Sequence, residues 1–181
     1  KDLQIDYKLG DLKLADLKRI LTGEPSEKYP VTLGSSENDN VLFFWSGHGT
    51  KKGWLWKEME NLSPEFAREM FSAMKFRKQF AIIETCYSGV VGEGCIGIPG
   101  LLMMTASNPY ETSKADVLDE ELVVYLSNTF TSSILSWLES NPNAVLRDLY
   151  LHAFDKTNGS HVMVYNADYY GNLYWNDMSE Y

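Results

Sequence analysis

Three uninterrupted apolar runs stand out along the chain, and each ends in a cluster of small or polar residues. Val41–Trp45 (VLFFW) leads into Ser46-Gly47-His48-Gly49-Thr50. Ala81–Ile83 leads into Glu84-Thr85-Cys86-Tyr87-Ser88-Gly89, and Leu101–Ala106 (LLMMTA) into Ser107-Asn108-Pro109. A short apolar run bounded by turn signals reads as a buried strand, and strands apolar on both faces are usual in parallel sheets covered by helices. Gln79–Glu84 is thus the strand into Cys86, His161–Tyr165 (HVMVY) a last strand, and Trp54–Trp56 a short strand of an excursion.

Helical spacing fills the intervals between the strands. Leu12, Leu14, Leu17, Ile20 and Leu21 fall at roughly helical spacing and predict a helix within Lys13–Thr22, with Gly23 as its stop signal. Ser63 offers an N-cap with Pro64 at the first helical position, and Phe66, Met70 and Met74 form one face of the helix that follows. That stripe reads as core packing. Leu126, Phe130, Ile134 and Trp137/Leu138 predict another helix, ended by Asn141-Pro142, and Val145, Leu149 and Ala153 one more. Residues 23–40 and 110–121 read as polar loops, and the Tyr/Trp-rich tail to Tyr181 as a further edge element. Strand–helix–strand crossovers of this length imply parallel pairing, so the expected class is α/β, a mostly parallel central sheet flanked by helices. Residues 1–181 read as a single domain.

Composition narrows the partners. At 181 residues, 44% hydrophobic and 13% aromatic, the chain can bury a sizeable core without a disulfide or metal staple. A net charge of −9 argues against nucleic acid, and no run is long enough to span a bilayer. Two cysteines, Cys86 and Cys95, make no disulfide framework. The chain opens Lys1-Asp2-Leu3 without initiator methionine or signal sequence, the expectation being a processed or trimmed product.

If the three strands are parallel, their Gly-His-Gly, Glu-Thr-Cys and Ser-Asn-Pro ends open on one edge of the sheet, where ligands bind in open α/β sheets. His48 and Cys86 then face one another. A thiol attacks a carbonyl as thiolate, and a nearby imidazole takes its proton. Glycines around His48 let backbone approach a substrate, so the Gly49 and Cys86 amides could donate to an oxyanion. A lone buried cysteine is more often a small hydrophobe and a lone histidine a structural group. The other histidines serve as controls: His152 falls within a helix, and His161 at the start of its strand, the wrong edge if that strand is parallel. A zinc site from His48, Cys86 and Cys95 has only three ligands and no Cys-x-x-Cys pair. Asp116, Asp119, Glu120 and Glu121 match no calcium-loop spacing and read as a solvated loop. Trp54 and Trp56 could line a cleft, but packing explains them equally well.

VLFFWSGHG followed by FAIIETCYSG resembles the clan of caspases, gingipains and legumains, in which one apolar strand ends in His-Gly and the next in Glu/Asp-x-Cys. Within it the chain resembles the legumain family (family C13, asparaginyl endopeptidases, with the GPI transamidase catalytic subunit as a relative). TASNPYETS, DEELVVYL and GSHVMVY extend the likeness in order along nearly the whole chain.

The resemblance implies a caspase-like α/β fold and peptide-bond hydrolysis through a thioester. Cys86 would be nucleophile, His48 general acid/base, and the Gly49 and Cys86 amides the oxyanion hole. Glu84 would lie in the wall of the pocket for the residue before the cut. Thr112 and Ser113 match the segment along which family substrates lie as an added strand. No cofactor is implied, and a secreted, periplasmic or lysosomal/vacuolar compartment is.

Two features depart from the family. Its opening strand, with an Arg for the specificity pocket and an Asn orienting the histidine, should precede Lys1. The expectation is that a separate N-terminal chain, released by zymogen maturation, completes the sheet. Asn128 falls where legumains carry a pocket Asp, which leaves Asn, Asp or a basic residue open before the cut. Beside a cysteine endopeptidase stand a transamidase or peptide ligase, in which an amine takes the thioester, and a silent caspase-like binding module.

Overall fold

The computed structural model describes residues 4–57, 60–121 and 123–181, so Lys1–Leu3 and Leu122 of the DEELVVYL run lie outside the described residues. Four strands form the main sheet: β1 (Asn40–Ser46), β5 (Lys78–Glu84), β6 (Leu101–Thr105) and β9 (Met163–Tyr165), in the order β1-β5-β6-β9. The first three run parallel and β9 antiparallel to β6. An excursion after β1 makes a small antiparallel sheet from β2 (Gly49–Thr50), β3 (Gly53–Leu55) and β4 (Asn61–Leu62).

Alternation along the buried strands sorts two cores. Ala81, Ile83, Leu101 and Met103 face one side, against α1 (Leu14–Leu21), α2 (Pro64–Ala73) and α3 (Gly89–Gly94). Phe80, Ile82, Leu102 and Met104 face the other, against α4 (Thr129–Ser140) and α5 (Leu146–Lys156). A mostly parallel sheet between two helical layers results, as the apolar runs predict. α2 begins as expected, with the Ser63 hydroxyl accepting from the Phe66 amide at 3.2 Å and Pro64 leading the helix. Trp54 and Trp56 are fully buried and stack with Trp45 at 5.3 and 5.9 Å, so they are packing and line no cleft.

Three expectations are corrected. Residues 110–121 are not a continuous loop: Ala115–Asp119 (β7) pairs antiparallel with Val124–Asn128 (β8), held by a backbone ladder that polar side chains do not interrupt. The next helix starts at Thr129, not at Leu126, because Asn128 is still extended (φ −127°, ψ 150°). The tail adds no edge strand to the main sheet. It forms a short helix, α6 (Ala167–Tyr170), and a 3₁₀ turn (Met178–Glu180), with one isolated bridge between Val145 and Asp177.

β1 is an edge strand, although both of its faces are apolar. Phe43 and Trp45 pack into one core. Leu42 and Phe44, on the opposite face, are 45% and 51% exposed. They line an apolar groove of about 340 Å³ with Ile82, Ile134 and Leu138.

Candidate active site

Strand register decides which chain ends meet. Ser46 pairs with Glu84 in the β1–β5 ladder, and the Gly47 amide donates to the Glu84 carbonyl at 3.0 Å. His48 and Cys86 each lie two residues beyond that matched pair, on the same rim. The approach is close because of Gly49: a Cβ there would come within 2.0 Å of the Cys86 carbonyl oxygen and 2.8 Å of the Thr85 hydroxyl. His48 is exposed and Cys86 half-buried.

The Leu55 amide donates to the His48 carbonyl at 2.9 Å, which makes His48 and Leu55 the hydrogen-bonded pair of the β2–β3 hairpin. Alternation then leaves Gly49 at the next, non-bonded position, its N–H turned away from β3. The Cys86 amide makes no hydrogen bond among the described residues. Beyond it Tyr87 has φ 52°, a left-handed conformation uncommon for a bulky residue, and this turn swings the chain from β5 into α3.

Ser113 is drawn to the thiol, its carbonyl oxygen 3.9 Å and its hydroxyl 4.0 Å from the Cys86 sulfur. Thr112 instead accepts from the Lys114 ammonium at 3.1 Å, so its hydroxyl is engaged along its own loop. Glu84 is 1% exposed. Its Oε2 accepts from the backbone amide and hydroxyl of Thr131, at 3.1 and 3.0 Å. Thr131 lies in the first turn of α4, where a helix leaves unpaired amides and a partial positive charge. The β5 carboxylate thereby caps α4, and Asn128, at the N-cap position, makes no side-chain capping bond.

Glu84 Oε1 is buried without a hydrogen-bond partner. Burial raises the Glu84 pKa, only partly offset by the Thr131 and Ser113 hydroxyls and the Thr131 amide. Thr131 was not among the sequence-predicted site residues. Its helical position looks like any other, and only the fold brings Glu84 to that helix end.

Cys95 sits away from this rim, fully buried at the end of α3 in the core. Burial pushes its thiol pKa up to about 12, and both cysteines are free. His161 requires a correction. Because β9 is antiparallel to β6, with Met163 opposite Thr105, the start of β9 lies on the rim where the parallel strands end. Edge position does not separate His161 from His48. What separates them is a partner: His161 Nδ1 lies 2.8 Å from Glu111 Oε2. His152 lies within α5, its ring stacked on Trp137 at 4.4 Å.

Among the described residues no group of three or more His, Cys, Asp or Glu side chains is arranged to hold a metal ion, and no helix is long and apolar enough to cross a membrane. The acidic residues Asp116 and Asp119 lie on the β7 strand of the hairpin.

Comparison with known proteins agrees with this architecture. The GPI-anchor transamidase of Saccharomyces cerevisiae is 27% identical over 172 residues, covering 90% of this chain and 41% of that protein. The human GPI-anchor transamidase is 24% identical over 148 residues (78% and 37%), and human legumain 27% over 173 residues (88% and 39%). The chain therefore spans about two-fifths of the length of the curated relatives it matches. The sequence profile of the peptidase C13 family matches residues 1–179, and the chain belongs to that family.

Proposed function

We propose that the chain carries the thiol acyl-transfer centre of a cysteine endopeptidase. Cys86 Sγ attacks the carbonyl carbon of a peptide bond while His48 takes the thiol proton. The Gly49 and Cys86 amides receive the oxyanion, and His48 returns the proton to the departing amine, leaving a thioester on Cys86. Water, deprotonated by His48, then releases the acid. The observation that supports this reading is the β1–β5 register, in which Ser46 pairs with Glu84, each two residues before His48 and Cys86 in turn.

A second reading is favoured by the relatives, which include GPI-anchor transamidases as well as legumain. In it an amine takes the thioester before water does. Both readings share the Cys86 thioester and differ in what reaches it. Incubating the protein with a peptide substrate and an amine nucleophile, then weighing the products, separates hydrolysis from transfer. Cys86→Ala with undiminished cleavage would overturn both. Iodoacetamide labelling of Cys86 no faster than free cysteine would favour a silent binding module instead.

The same reading includes maturation from a zymogen, with a short N-terminal chain from the same precursor laid beside β1. Among the described residues no strand pairs with the outer edge of β1, and Leu42 and Phe44 are exposed, which supports it. Such a strand would supply the Arg and the histidine-orienting Asn of the family pattern. Denaturing electrophoresis of active protein should reveal a smaller companion chain, and its absence with activity intact would sink the idea.

A further inference from the structure

The left-handed turn after Cys86 is held from outside its own strand. The Tyr87 amide donates to the Glu111 carbonyl at 2.8 Å. On its other side the turn is tied by serines, with the Ser88 amide on the Ser107 hydroxyl at 3.1 Å and the Ser107 hydroxyl on the Thr85 carbonyl at 3.2 Å. A non-glycine residue at positive φ persists only where its surroundings over-determine it. The serines belong to the end of the sheet itself. Glu111 belongs to a loop that must first be fixed in place.

The Glu111 side chain does the fixing. Its Oε1 accepts from the Asn108 amide at 3.1 Å and from the His161 amide at 2.7 Å, and its Oε2 meets His161 Nδ1 at 2.8 Å. One carboxylate thus closes its own turn onto the strand that follows α5. That strand end is anchored in turn, because the Ser160 hydroxyl donates to the Ala106 carbonyl at 2.7 Å. Two residues beyond Glu111 the same loop brings Ser113 against the Cys86 sulfur. Desolvation works against ionisation of Glu111, but the His161 ring, the His161 and Asn108 amides and the His161 charge outweigh it, so its pKa is lowered.

The geometry points to Glu111, paired with His161, as the positioning residue of the nucleophile turn: it sets the loop that clamps Tyr87 and seats Ser113 beside the Cys86 thiol. The inference rests on Cys86 being the nucleophile. Glu111 touches neither thiol nor substrate and acts through Tyr87 and Ser113. The His161 ring is exposed and Glu111 half-buried, so the ion pair itself contributes little to global stability, and its loss reads out first in the alignment of the thiol. Misplacing a reacting group by about 1 Å costs on the order of a hundredfold in rate.

The test compares Glu111→Ala, Glu111→Gln, His161→Ala and the double variant Glu111→Ala/His161→Ala with the parent protein. Kinetics are normalised to titrated active sites. Glu111→Ala should lower kcat about a hundredfold with a smaller change in KM, and slow iodoacetamide labelling of Cys86. Glu111→Gln keeps an oxygen that can accept from the two amides and should recover roughly tenfold of the loss. The double variant should be no worse than Glu111→Ala, because both side chains act in one contact. Hydrogen exchange at the Tyr87 amide should accelerate in Glu111→Ala while the strand amides of β5 stay protected. Unchanged kcat per active site, or unchanged Tyr87 exchange, would overturn the proposal. Full activity in Cys86→Ala would overturn the nucleophile reading instead, and Tyr87 exchange would still report on the clamp.

Discussion

Gly49 packs on the backbone of Cys86 so closely that a single added methyl would lie 2.0 Å from the Cys86 carbonyl oxygen. Backbone cannot yield to such a contact as a flexible side chain could. The absence of a side chain at Gly49 lets the loop carrying His48 reach the turn carrying Cys86. Gly49→Ala should push the two loops apart, costing about 1–3 kcal/mol by overpacking. If the Gly49 amide also serves the oxyanion, kcat/KM should fall on the order of a hundredfold or more. Thermal unfolding and peptide-cleavage kinetics on the same preparation check both effects, and activity should fall far more than stability.

The two cysteines should behave oppositely toward an alkylating reagent. Cys86 is half-buried on the open rim, whereas Cys95 is fully buried with its pKa pushed up to about 12. The thiolate is the reactive form, so Cys95 remains an inert thiol across the neutral range. Intact mass after brief iodoacetamide treatment should show one adduct, on Cys86, and two adducts once the protein is denatured. Cys95→Ser should leave the first number unchanged.

Glu84 links stability to pH with a predictable sign. Its folded pKa is raised, so the native state holds the proton more tightly than the unfolded chain does. The protein therefore loses stability as pH rises from the ordinary carboxylate range through the raised value, and carries a constant penalty above it. Glu84→Gln removes that penalty while an amide oxygen can still cap α4. Its melting temperature should exceed the parent's at neutral pH by more than it does at acidic pH, as thermal scans at two pH values would show. If Glu84 lines the pocket for the residue before the cut, the order reverses for a substrate with a cation there. Binding should weaken as pH falls through the raised value, and Glu84→Gln should flatten that dependence. Thr131→Val deletes one of the two donors to Oε2 and should cost about 1.5–3 kcal/mol near neutral pH.

The strands and most helices were legible because burial leaves its period in the sequence. AII and LLMMT are apolar on both faces because helices cover both sides of the sheet there, whereas VLFFW is covered on one face and leaves Leu42 and Phe44 exposed on the other. Parallel pairing followed from connection length, and the position of His48 and Cys86 on one rim, each two residues past the matched Ser46–Glu84 pair, followed from parallel pairing. The β7–β8 hairpin carries no such trace, since its ladder is backbone and its side chains include Asp116 and Asp119 on one strand and exposed Tyr125 and Leu126 on the other. The direction of β9 was equally hidden. HVMVY looks the same read up or down the sheet, and only the antiparallel pairing with β6 brings His161 to Glu111, 50 positions away in sequence. Thr131 went unseen because its role is a contact between a strand end and a helix end, and neither element announces it.

β1 carries the last prediction, because its two edges differ residue by residue. The Gly47 amide points into β5, so by alternation the N–H groups of Phe43 and Trp45 point the same way and those of Leu42 and Phe44 point outward. Leu42 and Phe44 also carry the exposed side chains. Such an edge, apolar and unpaired, invites a further strand. In the 181-residue chain alone, amide exchange should alternate along β1, fast at Leu42 and Phe44 and slow at Phe43 and Trp45. A chain added beside β1 would donate and accept at those outward groups and erase the alternation. Phe44→Lys places a charge where that chain would pack. It should leave the slow amides slow, and it would weaken the retention of any chain bound there on size-exclusion chromatography. Uniformly slow exchange along β1 in the chain alone would mean that its outer edge is already paired.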